Sequence, residues 1–201
     1  MIKKIVLFSF MLFLSLKAAN AATDGTQAEA FMDGIGQNVI DLLTDKKISD
    51  QDRADQFRTI LDTKFNLKSV GKFVLGRYWK QASEEQKEKF LQLFKETTVA
   101  SYSTRFKEYT SEKFEITGHR VESDGGVTVL TRIIRPGGQH IPIDWKIFEK
   151  NGEYRIYDVI LEGISMGITQ RSEFASVIQK GGGDIEAINK ALGLKLASYR
   201  R

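Results

Sequence analysis

The chain has 201 residues, no cysteine, two histidines and a net charge of +4 from 30 Lys and Arg against 26 Asp and Glu. The missing cysteines exclude disulfides, a thiol nucleophile and lipid attachment at a lipobox. Two histidines leave little material for an imidazole base or a metal cluster, and the charge counts require no basic face of the kind a nucleic-acid partner needs.

Residues 1–21 read as a secretory signal peptide. Lys3 and Lys4 form a positive start, residues 5–16 an apolar stretch, and Ala19-Asn20-Ala21 an A-x-A site, so cleavage is expected before Ala22. The apolar stretch is short for a permanent membrane anchor. Export to the periplasm is therefore expected, and loss of Lys3, Lys4 and Lys17 lowers the net charge from +4 to +1. Residues 22–201 show no Pro-rich or Ser-rich linker and no internal repeat, and their length suits one domain with a sizeable core.

The first half of the remaining chain has helical spacing. Phe31, Ile35, Val39, Leu42 and Leu43 mark a helix over residues 28–43, with Gly34 and Gly36 interrupting it. Ser49 followed by Asp52 opens a second, whose inner face holds Ala54, Phe57, Ile60 and Leu61, and Asn66 opens a short third. Ser83-Glu84-Glu85-Gln86 is a capping box for the longest helix, which carries Phe90, Phe94, Tyr102 and Phe106. Four helices thus precede any strand.

From Lys113 the period becomes two. Turns at Asp124-Gly125-Gly126, Pro136-Gly137-Gly138 and Asn151-Gly152 separate four strands of an antiparallel meander. The second strand is apolar at both parities, with Val127, Val129 and Ile133 on one and Leu130 and Ile134 on the other. Either helices cover both its faces, or part of one face lines a ligand cavity. In the third, Ile141, Ile143, Trp145 and Ile147 share a face opposite Asp144 and Lys146. The fourth ends at Glu162-Gly163, where the period turns helical again. A helix over residues 165–180, a Gly181-Gly182-Gly183 break and a last helix capped by Asp184 finish the chain. The fold class is α+β: N-terminal helices, a curved four-stranded antiparallel sheet and C-terminal helices, a cone able to enclose an apolar cavity.

The junction of fourth strand and helix concentrates charge in Asp158, Glu162, Arg171 and Glu173. Asp158 and Glu162 lie ~13 Å apart at ~3.3 Å per residue, too far for a catalytic carboxylate pair. Pairing with Arg or Lys is expected, and Arg171 is the candidate for Glu162. His119 and His140 lie near strand ends, each without a second His at ligand spacing. These missing parts point away from an enzyme, with no catalytic residue, metal or cofactor assigned.

Two segments carry a family resemblance. Tyr157-Asp158-Val159, Glu162-Gly163-Ile164-Ser165 and Arg171-Ser172-Glu173-Phe174 form the first; Phe73-Val74-Leu75-Gly76-Arg77-Tyr78-Trp79, Ser83-Glu84-Glu85-Gln86 and Phe90 form the second. Together they resemble the Mla-type (maintenance of lipid asymmetry) periplasmic phospholipid-binding proteins, also known as toluene-tolerance or ABC-transporter auxiliary proteins. The resemblance implies a soluble carrier that shields phospholipid acyl chains between two membranes. It also implies an inner-membrane ABC transporter with an MCE-domain subunit and an outer-membrane lipoprotein complex as partners, with no nucleic acid and no cofactor. The cavity candidates are Tyr102, Phe106, Val129, Ile133, Ile143, Trp145, Ile147, Val159 and Leu161. A non-carrying adaptor of the same transport system, or a carrier of another hydrophobic ligand such as a hopanoid, stays open beside it.

Overall fold

In the computed structural model, which describes residues 24–103 and 111–199, five helices precede the first strand: α1 (Gly25–Thr44), α2 (Asp50–Lys64), α3 (Leu67–Leu75), α4 (Arg77–Gln81) and α5 (Glu84–Ser103). The expectation of four is corrected by α4. Gly76, at φ 54°, stops α3 in a backbone state that suits glycine. Its N–H bonds the carbonyls of Lys72 and Phe73, and the chain restarts at Arg77. The other starts follow their caps. Ser49 Oγ accepts from the Asp52 N–H at 3.0 Å and Asn66 Oδ1 from the Ser69 N–H at 3.0 Å. Ser83 and Gln86 exchange backbone-to-side-chain bonds at 3.0 and 3.1 Å, satisfying two otherwise orphaned donors. Helix α1 starts at Gly25, three residues earlier than its apolar stripe suggested, because Asp24 caps it through the Gln27 N–H at 3.0 Å.

The sheet runs β1 (Lys113–Val121), β2 (Val127–Ile134), β3 (His140–Lys150), β4 (Glu153–Leu161) and β5 (Ile164–Ser165), each strand antiparallel to the next. The four-strand expectation gains β5. Glu162 and Gly163 both have positive φ, 51° and 81°, as a two-residue hairpin turn of the primed type requires. Leu161 therefore pairs with Ile164 and Ile160 with Ser165. Register sets Val129 opposite Trp145 and Trp145 opposite Val159. One row along, Thr131 lies opposite Ile143, and Ile143 opposite Leu161; Ile133 faces Ile141. Opposed residues share a face, so these rows form one inner face.

Helix α1 lies across the inner face of β1 and β2. Ala28, Met32 and Ile35 pack there against Val127, Val129, Ile147 and Ile156. The close approach depends on two glycines. A Cβ on Gly36 would stand 2.2 Å from the Phe114 ring, and one on Gly25 2.2 Å from the His119 imidazole. The other face of the sheet carries charge, with Arg132 bound to Glu115 at 2.5 Å and Lys146 to Asp124 at 2.6 Å. Its apolar members Leu130 and Ile134 are half-buried, so the two-parity pattern of β2 reflects one packed face and one mixed face rather than two packed ones.

A second core joins α3 and α5 to α6 (Met166–Lys180) and α7 (Glu186–Ser198). It centres on Phe90, Phe94 and Phe174, whose ring centroids lie 5.6 to 6.0 Å apart. The last helix is started by Asp184, which accepts from the Glu186 N–H at 2.8 Å. The two cores meet at the α2–α3 joint, where Phe65 bridges Ile156. There the Asn66 N–H bonds the Ile156 carbonyl at 2.9 Å and its side-chain amide donates to the Tyr157 hydroxyl at 2.8 Å. Among the described residues no helix is long and apolar enough to cross a membrane.

Candidate functional site

The charged junction folds around Asp158. Its Oδ1 accepts from the Gly167 and Val159 N–H groups, each at 2.9 Å, and its Oδ2 from the Ser165 hydroxyl. Ser165 Oγ accepts in turn from the Ile168 N–H at 3.0 Å. A carboxylate at the N-terminus of α6 satisfies donors that the helix leaves open and sits favourably in its dipole. Gly167 is matched to this seat, since a Cβ there would stand 3.0 Å from Asp158 Oδ1 and 3.2 Å from the Phe73 ring. Among the described residues Asp158 thus binds backbone and hydroxyl donors rather than a Lys or Arg. The expected Glu162–Arg171 pair is also corrected: among the described ion pairs these two are not joined. Glu162 is exposed in the β4–β5 turn, while α6 carries Arg171 to α3, where its guanidinium lies 5.2 Å from the Phe73 ring centroid.

The expected cavity residues divide. Val129 and Ile147 are 0% exposed, and Trp145 and Val159 pack with them against α1. That part of the inner face is filled with side chains. Ile133, Ile143 and Leu161 lie on the same face by register but outside both packed clusters. They are half-buried, as is Ile141, and Ile164 beyond Leu161 is 59% exposed. The apolar face therefore runs from a sealed end at Val127, Ile147 and Ile156 to an open end at Ile133, Ile143, Leu161 and Ile164. Thr131 interrupts it at the boundary, where its hydroxyl accepts from Trp145 Nε1 at 3.0 Å and donates to the Ile143 carbonyl. Tyr102 is 48% exposed with its ring 5.6 Å from Phe57, and Phe106 lies outside the described residues.

Two hollows of about 300 and 330 Å³ open elsewhere, the first lined by polar groups such as Asn66, Lys150, Glu153 and Arg155, the second lying around Tyr78, Gln86 and Asp184. Neither is lined by any of the expected cavity residues.

The titratable groups act structurally. His119 Nδ1 lies 2.8 Å from Glu29 Oε1 and ties β1 to α1. On the charged sheet face, the Thr128 hydroxyl and then Arg120 hold Glu122 below the usual carboxylate range, and Lys146 does the same for Asp124. Burial pushes the Tyr154 hydroxyl up. Among the described residues no three His, Cys, Asp or Glu side chains are grouped to hold a metal ion. What the open end offers is hydrocarbon surface on a rigid sheet, an arrangement that shelters apolar groups rather than one that moves protons. Ile164 is a member of this end that the strand pattern missed; its motif position was visible, but not its exposure.

The family described as MlaC protein matches residues 34–193. Among curated proteins, the chain is 31% identical over 124 residues to the intermembrane phospholipid transport system binding protein MlaC of Haemophilus influenzae, across 59% of this chain and 58% of that protein. It is 23% identical over 133 residues to the toluene tolerance protein ttg2D of Pseudomonas putida, across 66% and 62%. These matches span about three fifths of each relative's length. In fold the chain is similar to a phospholipid-binding protein from Ralstonia solanacearum solved in complex with a phospholipid, with a TM-score of 0.71 at 18% identity over 91% of this chain and 100% of that one.

Proposed function

Since the chain belongs to the MlaC protein family, we propose that it is a phospholipid-binding transport protein and not an enzyme. Acyl chains lie against the open end of the inner sheet face, at Ile133, Ile143 and Leu161, and the polar head group stays at the mouth beside Ile164, where desolvation costs least. Val129, Trp145, Ile147 and Val159 form the closed floor beneath. The observation that carries this reading is the fall in burial along one apolar face, from 0% exposed at Val127, Ile147 and Ile156 to 59% at Ile164. An apolar strip of this kind loses hydration free energy when hydrocarbon covers it, at ~25 cal/mol per Å². The phospholipid named for the Haemophilus influenzae relative and for the Ralstonia protein supports the choice of ligand.

In the finer reading, residues 1–21 direct export and are removed before Ala22, and residues 22–201 are one lipid-binding domain in the periplasm. The domain passes phospholipid between an inner-membrane ABC transporter with an MCE-domain subunit and an outer-membrane lipoprotein complex, maintaining outer-membrane lipid asymmetry. The need for a carrier is physical: at ~0.8 kcal/mol per buried CH₂, two acyl chains cross water too slowly unaided. Solvent extraction of the purified protein followed by mass spectrometry tests the reading. Co-extracted phospholipid is expected; an extract free of phospholipid would favour the packed adaptor, and one holding a hopanoid would change the ligand.

A further inference from the structure

Of the six large apolar side chains exposed among the described residues, three belong to one end of the molecule: Phe73 at 43%, Ile164 at 59% and Ile168 at 61%. Ile164 and Ile168 flank Ser165 and Gly167 at the start of α6, and the Phe73 ring would lie 3.2 Å from a Cβ on Gly167. Cations lie on the same and adjoining helices. Arg171 lies over the Phe73 ring at 5.2 Å and within 3.2 Å of where a Gly76 Cβ would stand. Arg77 follows Gly76 and donates to the Tyr78 hydroxyl at 2.8 Å. Lys72 precedes Phe73, and all three cations are exposed. Among the described residues both arginines contact rings and a hydroxyl rather than carboxylates.

The acids of this end leave those charges available. Asp158 is occupied by the Ser165 hydroxyl and the Gly167 N–H. Glu173 stands two residues from Arg171 on α6, about 200° around the helix, and Glu162 lies in the β4–β5 turn. Exposed Ile and Phe side chains set among Arg and Lys are the chemistry that enters the interface of an anionic bilayer, with apolar groups reaching the acyl boundary and cations meeting phosphates. The patch is also continuous with the open end of the sheet, because Ile164 pairs with Leu161.

The geometry points to Phe73, Ile164 and Ile168, with Lys72, Arg77 and Arg171 on the helices that carry or adjoin them, as the surface that meets an anionic phospholipid bilayer. The occupant rests on the phospholipid-binding reading above. Contact here sets the mouth of the apolar strip against the headgroups from which a lipid enters or to which it leaves.

The test is flotation of the purified chain with phosphatidylcholine vesicles, with and without added phosphatidylglycerol, at low and high salt. Wild-type protein should float with the phosphatidylglycerol vesicles and release as salt rises. Arg171→Glu and Arg77→Glu should each weaken binding by roughly fivefold or more. Ile168→Asp should weaken it at low salt, where the wild type floats, and all three variants, altered at exposed positions, should keep the wild-type melting temperature. Wild-type protein that ignores both vesicles, or folded variants that bind as tightly as wild type, would overturn the inference and leave the patch to a protein partner. Phospholipid extracted from the same preparations reads the carrier proposal separately. Lipid-loaded protein that fails to float removes only the bilayer surface, whereas empty protein removes the carrier reading whatever the flotation shows.

Discussion

Replacing Asp158 should reveal how firmly the start of α6 is held to the sheet. In Asp158→Ala the Gly167 and Val159 N–H groups and the Ser165 hydroxyl lose their acceptor. Gly167 is buried, and a buried donor left unpaired costs about 1–3 kcal/mol. The hydroxyl can turn to water and costs less, about 0.5–1.5 kcal/mol, and the lost charge at the helix N-terminus adds about 0.3–1 kcal/mol. The sum is about 2–5 kcal/mol, or roughly 4–20 °C in melting temperature for a chain of this size. Asp158→Asn keeps an oxygen for the Gly167 N–H and should cost only about 1 kcal/mol. Urea denaturation of wild type, both variants, Ser165→Ala and the double variant gives the ranking and the coupling, expected at about 1 kcal/mol. Asn and Ala variants that both fall within about 0.5 kcal/mol of wild type, the range of ordinary surface changes, would refute the argument that the carboxylate anchors the helix.

Gly36→Val should destabilise by about 1–3 kcal/mol through its clash with Phe114, whereas Gly34→Ala, with open space at its Cβ, should stabilise by up to about 1 kcal/mol; thermal melts separate the two. Glu122 has a folded pKa lowered by the Thr128 hydroxyl and then by Arg120, so its contribution is complete above the unfolded value of about 4.3 and lost as pH falls through the folded one. The melting-temperature gap between wild type and Glu122→Gln should therefore close below pH ~4. Val129→Asp places a charge in the sealed core and should abolish cooperative unfolding in denaturant, while Ile143→Trp, at the open end, should fold and carry less extractable phospholipid. Equal lipid content in folded Ile143→Trp and wild type would count against the open end as the binding surface.

Much of the architecture was legible where local chemistry decides it. Ser49, Asn66 and the Ser83–Gln86 box named their helices because a cap is set by the residues within it. The three turns and the alternation through Ile141, Ile143, Trp145 and Ile147 likewise fixed the meander. Errors arose where a partner far along the chain decides the outcome. Arg171 is close to Glu162 in sequence, yet it goes to Phe73, about a hundred residues earlier. Gly36 reads as a helix weakness until Phe114 appears beneath it. The same limit applied to the site: residues sharing one face were identifiable from period alone, but alternation carries no record of where α1 ends its cover. Val129 and Ile143 therefore looked equivalent in sequence and differ in structure.

The dependence of α1 on the sheet also sets an order of events for a chain that emerges N-terminus first. Ala28, Met32 and Ile35 are made early, but their partners Val127, Val129, Ile147 and Ile156 follow only after the whole helical segment between them. At 5–20 residues per second, the wait from Met32 to Ile156 is roughly 6–25 s. Hairpins form in microseconds once their strands are present, so the meander assembles at once, whereas α1 waits for the sheet just as α3 and α5 wait for α6 and α7. During that interval the apolar stripe of α1 has no native surface to cover it, which makes this helix one segment of the nascent chain in need of a chaperone's protection.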